Sequence, residues 1–330
     1  MDEADPLSAP AHSFGGIANI DPEEQLATRA AWLYFVAGLT QAQIGKKLGI
    51  NRTRVNRLLA EARDQGLVQI NITGRLASCV ALEEKLHERY GLEEAVVVPT
   101  PPDQDMIPQV IATAAGAVLS HRLKDGMSVG VGWGRTLRLS IQSVPRRQMN
   151  RLSVVSLLGG LTRGSAMNPH ETASHLADLV GAQCYYVAAP ALTDTESTRN
   201  LLIAQPMLRE IFERGARVDL AFLSVGALTH NCTMSRVGLI TRGEVDDLLQ
   251  AGAVGDICAH WINAEGDLVD HPLNARAMAL PPDKLKDVPC VAVASGGRAK
   301  TAVLRGVLRG GMCDILITDE QAAKAILEMD

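Results

Sequence analysis

The chain has 330 residues, 47% of them hydrophobic and only 3% aromatic, with a net charge of −5. That length and apolar content sustain a large aliphatic core and two domains. The acidic balance excludes a general nucleic-acid or membrane binder, so any DNA contact is confined to a patch.

Taken in order, MDEADPLSAPAHSFGG is acidic, contains Pro and Gly, and has no apolar run, so residues 1–21 are expected to be a disordered tail and not a secretory signal. A helix is expected from Pro22 to near Gly38, with Leu26, Ala30, Leu33 and Ala37 on its core face. Trp32, Tyr34, Phe35 and Val36 make it apolar nearly all round, which calls for cover from its own domain, a partner subunit, or both.

Thr40 to Arg63, TQAQIGKKLGINRTRVNRLLAEAR, reads as two short helices around a tight turn. Thr40 can cap the first, Gly49 can end it with a positive φ, and Asn51 can cap the second. Val55, Leu58, Leu59 and Ala62 are spaced i, i+3, i+4 and i+7, one buried stripe. The opposite face carries Thr53, Asn56 and Arg57, with Arg52 and Arg54 beside it. Between Gln41 and Arg63 stand Lys46, Lys47, Arg52, Arg54, Arg57 and Arg63 against the single acid Glu61. Arg and Asn side chains match guanine and adenine edges, so a DNA-binding helix-turn-helix is expected over residues 22–74. Its candidate DNA contacts are Thr40, Gln41, Lys46, Asn51, Arg52, Thr53, Arg54, Asn56 and Arg57. A strand or wing is expected at Leu67–Ile72, and a surface helix with Val80, Leu82, Leu86 and Tyr90 inward is expected to link the halves over residues 75–94.

From residue 95 the texture changes. AVVVP, SVGVG, LSVVSLL, CYYVA, VDLAFLSVG, CVAVA and CDILIT are short apolar runs, most alternating with helical segments such as HETASHLADLV and KTAVLRGVLRG. Fully apolar strands separated by helices predict an α/β fold, a doubly wound parallel sheet over residues 95–330. The six cysteines form no CxxC pair and suit buried thiols in a reducing cytosol. No run approaches a membrane span, so the protein is expected to be cytoplasmic with no membrane partner.

Two turns between strand and helix are rich in glycine. GVGWGRTL places Gly132, Trp133, Gly134, Arg135 and Thr136 where backbone amides can close on an anion. It is GxGxG and not the dinucleotide fingerprint GxGxxG. ASGGRAK repeats the arrangement with Gly296, Gly297 and Lys300. Cations in a first helical turn oppose the macrodipole, which an arriving anion would relieve. Between the turns, Asp256, His260, Asn263, His271, Asn274 and Arg276 are polar for a segment flanked by core strands and could bind hydroxyls. Their spacing is not that of a metal site.

Together, LTQAQIGKKLGINRTRVNRLLAEARDQGLVQI, GVGWGRTL, YYVAAPAL, GAVGDICAHWINAEG and VASGGRAKTAVLRGVLRGGMCDILITDEQAAKAIL resemble the SorC-type family of bacterial sugar-responsive transcription regulators, over about residues 23–330. The resemblance implies a helix-turn-helix joined to an effector domain similar in fold to glucosamine-6-phosphate deaminase and ribose-5-phosphate isomerase. It implies dimers or tetramers, usually repressors, that bind operator DNA and a sugar, polyol or sugar phosphate. It also implies Gly132, Trp133, Gly134, Arg135 and Thr136 at the phosphate end of the effector, Asp256 at the sugar and Lys300 at the anion. Phosphosugar-binding members often carry two hydroxyl residues where this chain has Arg135–Thr136, which leaves a non-phosphorylated polyol open.

The expectation is therefore a non-enzymatic regulator of a carbohydrate or polyol operon, without cofactor or metal. Both glycine turns would converge on one effector, expected to carry a phosphate, with Asp256 and His271 or Asn274 holding its hydroxyls. The alternative is a sugar-phosphate isomerase or deaminase with a basic appendage, in which Lys300 would be a Schiff-base amine.

Overall fold

The computed structural model describes residues 22–64, 66–68, 76–161 and 168–329. They fall into two compact units, residues 1–71 and 72–330. The expected tail, and residues 69–72 of the expected strand, lie outside the described residues.

Among its described residues the first unit has three helices, α1 (Pro22–Phe35), α2 (Gln41–Leu48) and α3 (Arg52–Asp64). Ala27, Ala30 and Ala31 bring α1 close to α3, and Leu33, Ile44, Val55, Leu58, Leu59 and Ala62 complete the core. Thr40 and Gln43 form a reciprocal capping box at the start of α2. Gly49 ends that helix at φ +69°. Gly45 is needed for a second reason: a Cβ there would lie 2.7 Å from the Ile50 carbonyl. Tyr34 and Phe35 are half-buried against this core. Trp32 and Val36 stay 57% and 67% exposed, so the unit does not cover the apolar excess of α1.

The second unit opens with α4 (Leu76–Tyr90), β1 (Glu94–Val98), α5 (Ile107–Arg122), β2 (Ser128–Val131), α6 (Arg135–Gln142), β3 (Ser153–Gly160), α7 (Pro169–Val180) and β4 (Gln183–Pro190). It continues with α8 (Glu196–Ala204), α9 (Pro206–Gly215), β5 (Leu220–Leu223), β6 (Val225–Ala227), α10 (Thr233–Arg236), α11 (Arg242–Gln250), β7 (Gly255–Ile257) and β8 (His260–Ile262). The last elements are α12 (Pro272–Arg276), α13 (Pro282–Leu285), β9 (Val291–Ala294), α14 (Thr301–Arg309), β10 (Ile315–Asp319) and α15 (Glu320–Glu328).

Seven strands form one sheet in the order β1-β10-β9-β5-β2-β3-β4, every pair parallel. The pleat sends alternate residues to opposite faces. In β10, Ile315 and Ile317 join Ile111 and Leu119 of α5 in one core cluster, and Leu316 joins Ala322 and Ile326 of α15 in another. Both faces are covered, which is why these strands are apolar throughout.

Two expectations change here, and one turn is new. The run Val218–Gly226 is two strands, not one: β5 lies in the large sheet and β6 begins a three-stranded sheet β6-β7-β8. That small antiparallel sheet turns between β7 and β8 on Cys258 and Ala259, both at positive φ (48° and 57°). A hairpin turn of this hand usually shows itself by Asn-Gly or Asp-Gly, and neither is present. Finally, one residue of α4 faces the other way. Cys79, Leu82 and Leu86 are buried in the second unit's core, and Val80, expected inward, is exposed.

Candidate DNA-reading helix and effector site

In the first unit, α3 turns Val55, Leu58, Leu59 and Ala62 inward and leaves Arg52, Thr53, Arg54, Asn56 and Arg57 exposed. Lys46 is exposed on α2, and Gln41 Oε1 accepts from Arg52 Nε at 3.3 Å. Two of the nine candidates have structural work. The Thr40 hydroxyl accepts from the Gln43 amide and donates to Gln43 Oε1, while Asn51 Oδ1 accepts from the Arg54 amide at 2.8 Å. Both cap helices, which makes them poor base readers. Arg57 Nη2 donates to Glu23 Oε1 at 3.0 Å and Arg57 Nε lies 3.3 Å from Glu61 Oε1. The basic face is thus partly ordered by carboxylates.

In the second unit, both glycine turns lie at the carboxyl ends of parallel strands, where open α/β sheets bind ligands. They follow β2 and β9, which flank β5. Two strand spacings put them about 10 Å apart. They are not equivalent. In the first turn the Gly132 amide donates to the Phe222 carbonyl at 3.0 Å, so it offers no donor to a ligand, and the Trp133 side chain is buried in the core. Gly134, at φ +122°, precedes α6 with no side-chain cap, leaving first-turn amides beside exposed Arg135 and buried Thr136. The second turn is already holding a carboxylate. Asp319, fully buried at the end of β10, accepts from the Gly297 amide and the Thr100 hydroxyl, both at 2.6 Å, and from the Ala322 amide at 3.4 Å. The two turns are therefore not matched: the Gly297 amide serves Asp319, and only the turn before α6 has no side-chain cap. Asp319 was missed because an acid ending a strand and capping the next helix looks only like a cap.

Lys300 belongs to a different cluster. Its Nζ donates to the fully buried Ser295 Oγ at 3.1 Å, and Ser295 Oγ accepts from Ser224 Oγ at 3.3 Å. Ser224 sits at the break between β5 and β6, and β6 pairs with β7, which sets Gly226 opposite Asp256. A Cβ at Gly226 would lie 2.0 Å from Asp256 Oδ1, so only glycine leaves room for the carboxylate. Asp256 is 7% exposed and accepts from the Ala259 amide at 3.3 Å. Burial pushes its carboxyl up to about 6, against the lowering pull of that amide and of Lys300. Burial likewise pushes the half-buried Lys300 down to about 8, against the raising pull of Asp256. Between those values both groups are charged, an acceptor and a donor close to one another.

The neighbouring polar residues are mostly framework. Asn274 donates through Nδ2 to the Trp261 and Val269 carbonyls (3.0 and 2.9 Å) and accepts from the Trp261 amide at 2.8 Å, clamping β8. Both of its donors are used, which removes it as a hydroxyl donor. His271 caps α12, its Nδ1 accepting from the Leu273 amide at 3.3 Å. Asn263 Oδ1 accepts from the Glu265 and Asp267 amides and shapes the turn over residues 264–267. Arg276 donates to the Thr193 carbonyl at 2.7 Å. His260 is buried against the Cys258 carbonyl, and burial pushes it down to about 4, so it is neutral. Ser224, Gly226 and Ser295 are the residues the sequence reading did not single out. Gly226, in an unexpected strand before a polar segment, was the one available signal.

A basic helix-turn-helix carried on the same chain as an α/β unit with polar groups at its strand ends defines a ligand-responsive transcription regulator. Residues 74–328 match the family model for a sugar-binding domain, and residues 30–74 match the MarR family model. The chain belongs to the SorC-type family of sugar-responsive transcriptional regulators. It is 34% identical over 309 residues to the erythritol catabolism regulatory protein EryD of Brucella abortus, covering 93% of this chain and 98% of that one. It is 30% identical over 308 residues to the deoxyribonucleoside regulator of Bacillus subtilis, covering 92% and 98%. The crystal structure of the full-length sorbitol operon regulator SorC from Klebsiella pneumoniae aligns with a TM-score of 0.70 at 26% identity, covering 93% of this chain and all of that one.

Proposed function

We propose that the protein represses a polyol or sugar catabolic operon in the cytoplasm, acting without catalysis, and is released from its operator by a small polyhydroxylated effector. The observation that carries this reading is the buried Asp256 carboxylate and Lys300 ammonium beside Ser295 and Ser224, at the carboxyl end of a parallel sheet. An acceptor and a donor of opposite charge suit vicinal hydroxyls, each of which both gives and takes a hydrogen bond. The open amides before α6, with Arg135, would take the far end of the ligand. An uncharged polyol is favoured over a phosphate ester, because the Gly297 amide already serves the Asp319 carboxylate. The relative named for erythritol catabolism supports the same class.

DNA binding would use Gln41, Lys46, Arg52, Thr53, Arg54, Asn56 and Arg57. A homo-oligomer, dimer or tetramer, would present two such helices about 34–36 Å apart or a multiple of it. The effector would act by binding two subunit arrangements unequally, with roughly 1–3 kcal/mol of coupling. Calorimetry and a DNA-shift titration of the full chain with erythritol, other tetritols and pentitols, and their phosphates test this. Wild type is expected to bind a free polyol and release DNA, and Lys300→Ala is expected to lose that response while keeping operator affinity. Tight binding of phosphates alone would overturn the polyol assignment. Turnover of any of these compounds would overturn the non-catalytic one.

A further inference from the structure

The arginines of the recognition helix are tethered from a second helix. Arg57 Nη2 is 3.0 Å from Glu23 Oε1 and Arg57 Nε is 3.3 Å from Glu61 Oε1. Arg54 Nη2 lies 3.6 Å from the same Glu23 oxygen. Glu61 is one turn along α3, whereas Glu23 stands in the first turn of α1 and reaches Arg57 only because α1 packs on α3. All of these side chains are exposed by more than a third, Arg57 by 60%, and exposed pairs add little to folding. Their geometry has a different consequence. A guanidinium presents a side edge, Nε with Nη2, and an end edge, Nη1 with Nη2. Glu23 takes one hydrogen of Nη2 and Glu61 stands beside Nε, whereas none of these ion pairs uses Nη1. Nη1 and the second Nη2 hydrogen together can still match guanine O6 and N7 in a bidentate contact.

We infer that Glu23, with Glu61, is a positioning residue for base readout, holding the Arg57 fork in one orientation before DNA arrives. The inference rests on the reading of Arg57 as a base-contacting residue. A preoriented fork loses less freedom on binding, so the gain falls on the base that fits it. The same carboxylates repel the phosphate backbone and hold Arg54 back from it, which weakens binding to every sequence alike. Glu23 would therefore exchange general affinity for discrimination.

The test uses the full chain, a duplex selected by the wild-type protein from a randomised library, single base-pair variants of that duplex, and an unrelated duplex, all at matched salt. Arg57→Ala is expected to lower discrimination at one base pair per half-site by about 5- to 150-fold. Glu23→Gln is expected to lower it at the same base pair by about three- to tenfold, with equal or tighter binding to the unrelated duplex and a salt slope steeper by roughly one ion as Arg54 is freed. Glu24→Gln, a change in the same first turn, is the control for the helix end and is expected to leave discrimination unchanged. In an Arg57→Lys background, which has no fork, Glu23→Gln is expected to change discrimination no further. If Glu23→Gln and Glu61→Gln both keep discrimination while Arg57→Ala loses it, the positioning role is overturned and the reading of Arg57 stands. If Arg57→Ala keeps it as well, both fall. An equal loss in Glu24→Gln and Glu23→Gln also overturns the inference.

Discussion

Asp256→Asn keeps the shape of the side chain and removes a carboxyl that burial has raised from its ordinary 3.8 to about 6. At ~1.36 kcal/mol per pH unit, that difference corresponds to about 3 kcal/mol. The sign follows from proton counting. Between pH 3.8 and about 6 the folded chain holds a proton on Asp256 that the unfolded chain has released, so stability falls as pH rises through this window. The contribution is fully present below the unfolded value and lost above the folded one. Relative to Asp256→Asn, the wild type should therefore gain about 2 kcal/mol between pH 7 and pH 4, approaching the full difference only below the unfolded value. Lys300 complicates the alkaline side. It loses its attracting charge in the variant and moves further below about 8, so the comparison is made on the acid limb. Urea unfolding at half-unit pH steps, followed by fluorescence of Trp261, reports on the right place, since Trp261 is 1% exposed and pairs with Asp256 across β7 and β8. A difference between the two proteins that stays flat from pH 4 to 7 would refute the buried, raised carboxyl, and with it the electrostatics of the proposed effector site.

Gly226→Ala would put a methyl group 2.0 Å from Asp256 Oδ1. It is expected to cost about 1–3 kcal/mol of stability and to weaken the effector identified by calorimetry at least about tenfold. Gly45→Ala adds helix propensity worth ~1 kcal/mol but forces a Cβ to 2.7 Å from the Ile50 carbonyl. DNA shift should be lost, with effector binding retained by the second unit. Asp319→Ala leaves the Thr100 hydroxyl and the Gly297 amide without their shared acceptor and uncaps α15. Thermal unfolding should show a loss of about 2–3 kcal/mol.

What the sequence determined by itself was everything written at short range. The apolar spacing of Val55, Leu58, Leu59 and Ala62, the caps at Thr40 and Asn51, and the positive φ at Gly49 lie within one or two helical turns, where chain geometry leaves few alternatives. The apolar runs of the second unit likewise announced a covered parallel sheet, because they alternate with helices that return the chain across both faces. The allocation of hydrogen bonds could not be read this way. Asn274, His271 and the Gly132 and Gly297 amides had the chemistry of a ligand site, and each is already bonded to a neighbour in the folded chain. Conversely, Ser224, Ser295 and Gly226 looked like ordinary core and turn residues until β6 paired with β7 and β5 with β9. Glu23 looked like an acid at a helix start until α1 packed on α3. A polar group's function depends on which of its donors and acceptors remain unspent. For Gly132 and Gly297 that is settled by partners tens of residues away, and for His271 and Asn274 by how the folded chain turns back on nearer neighbours.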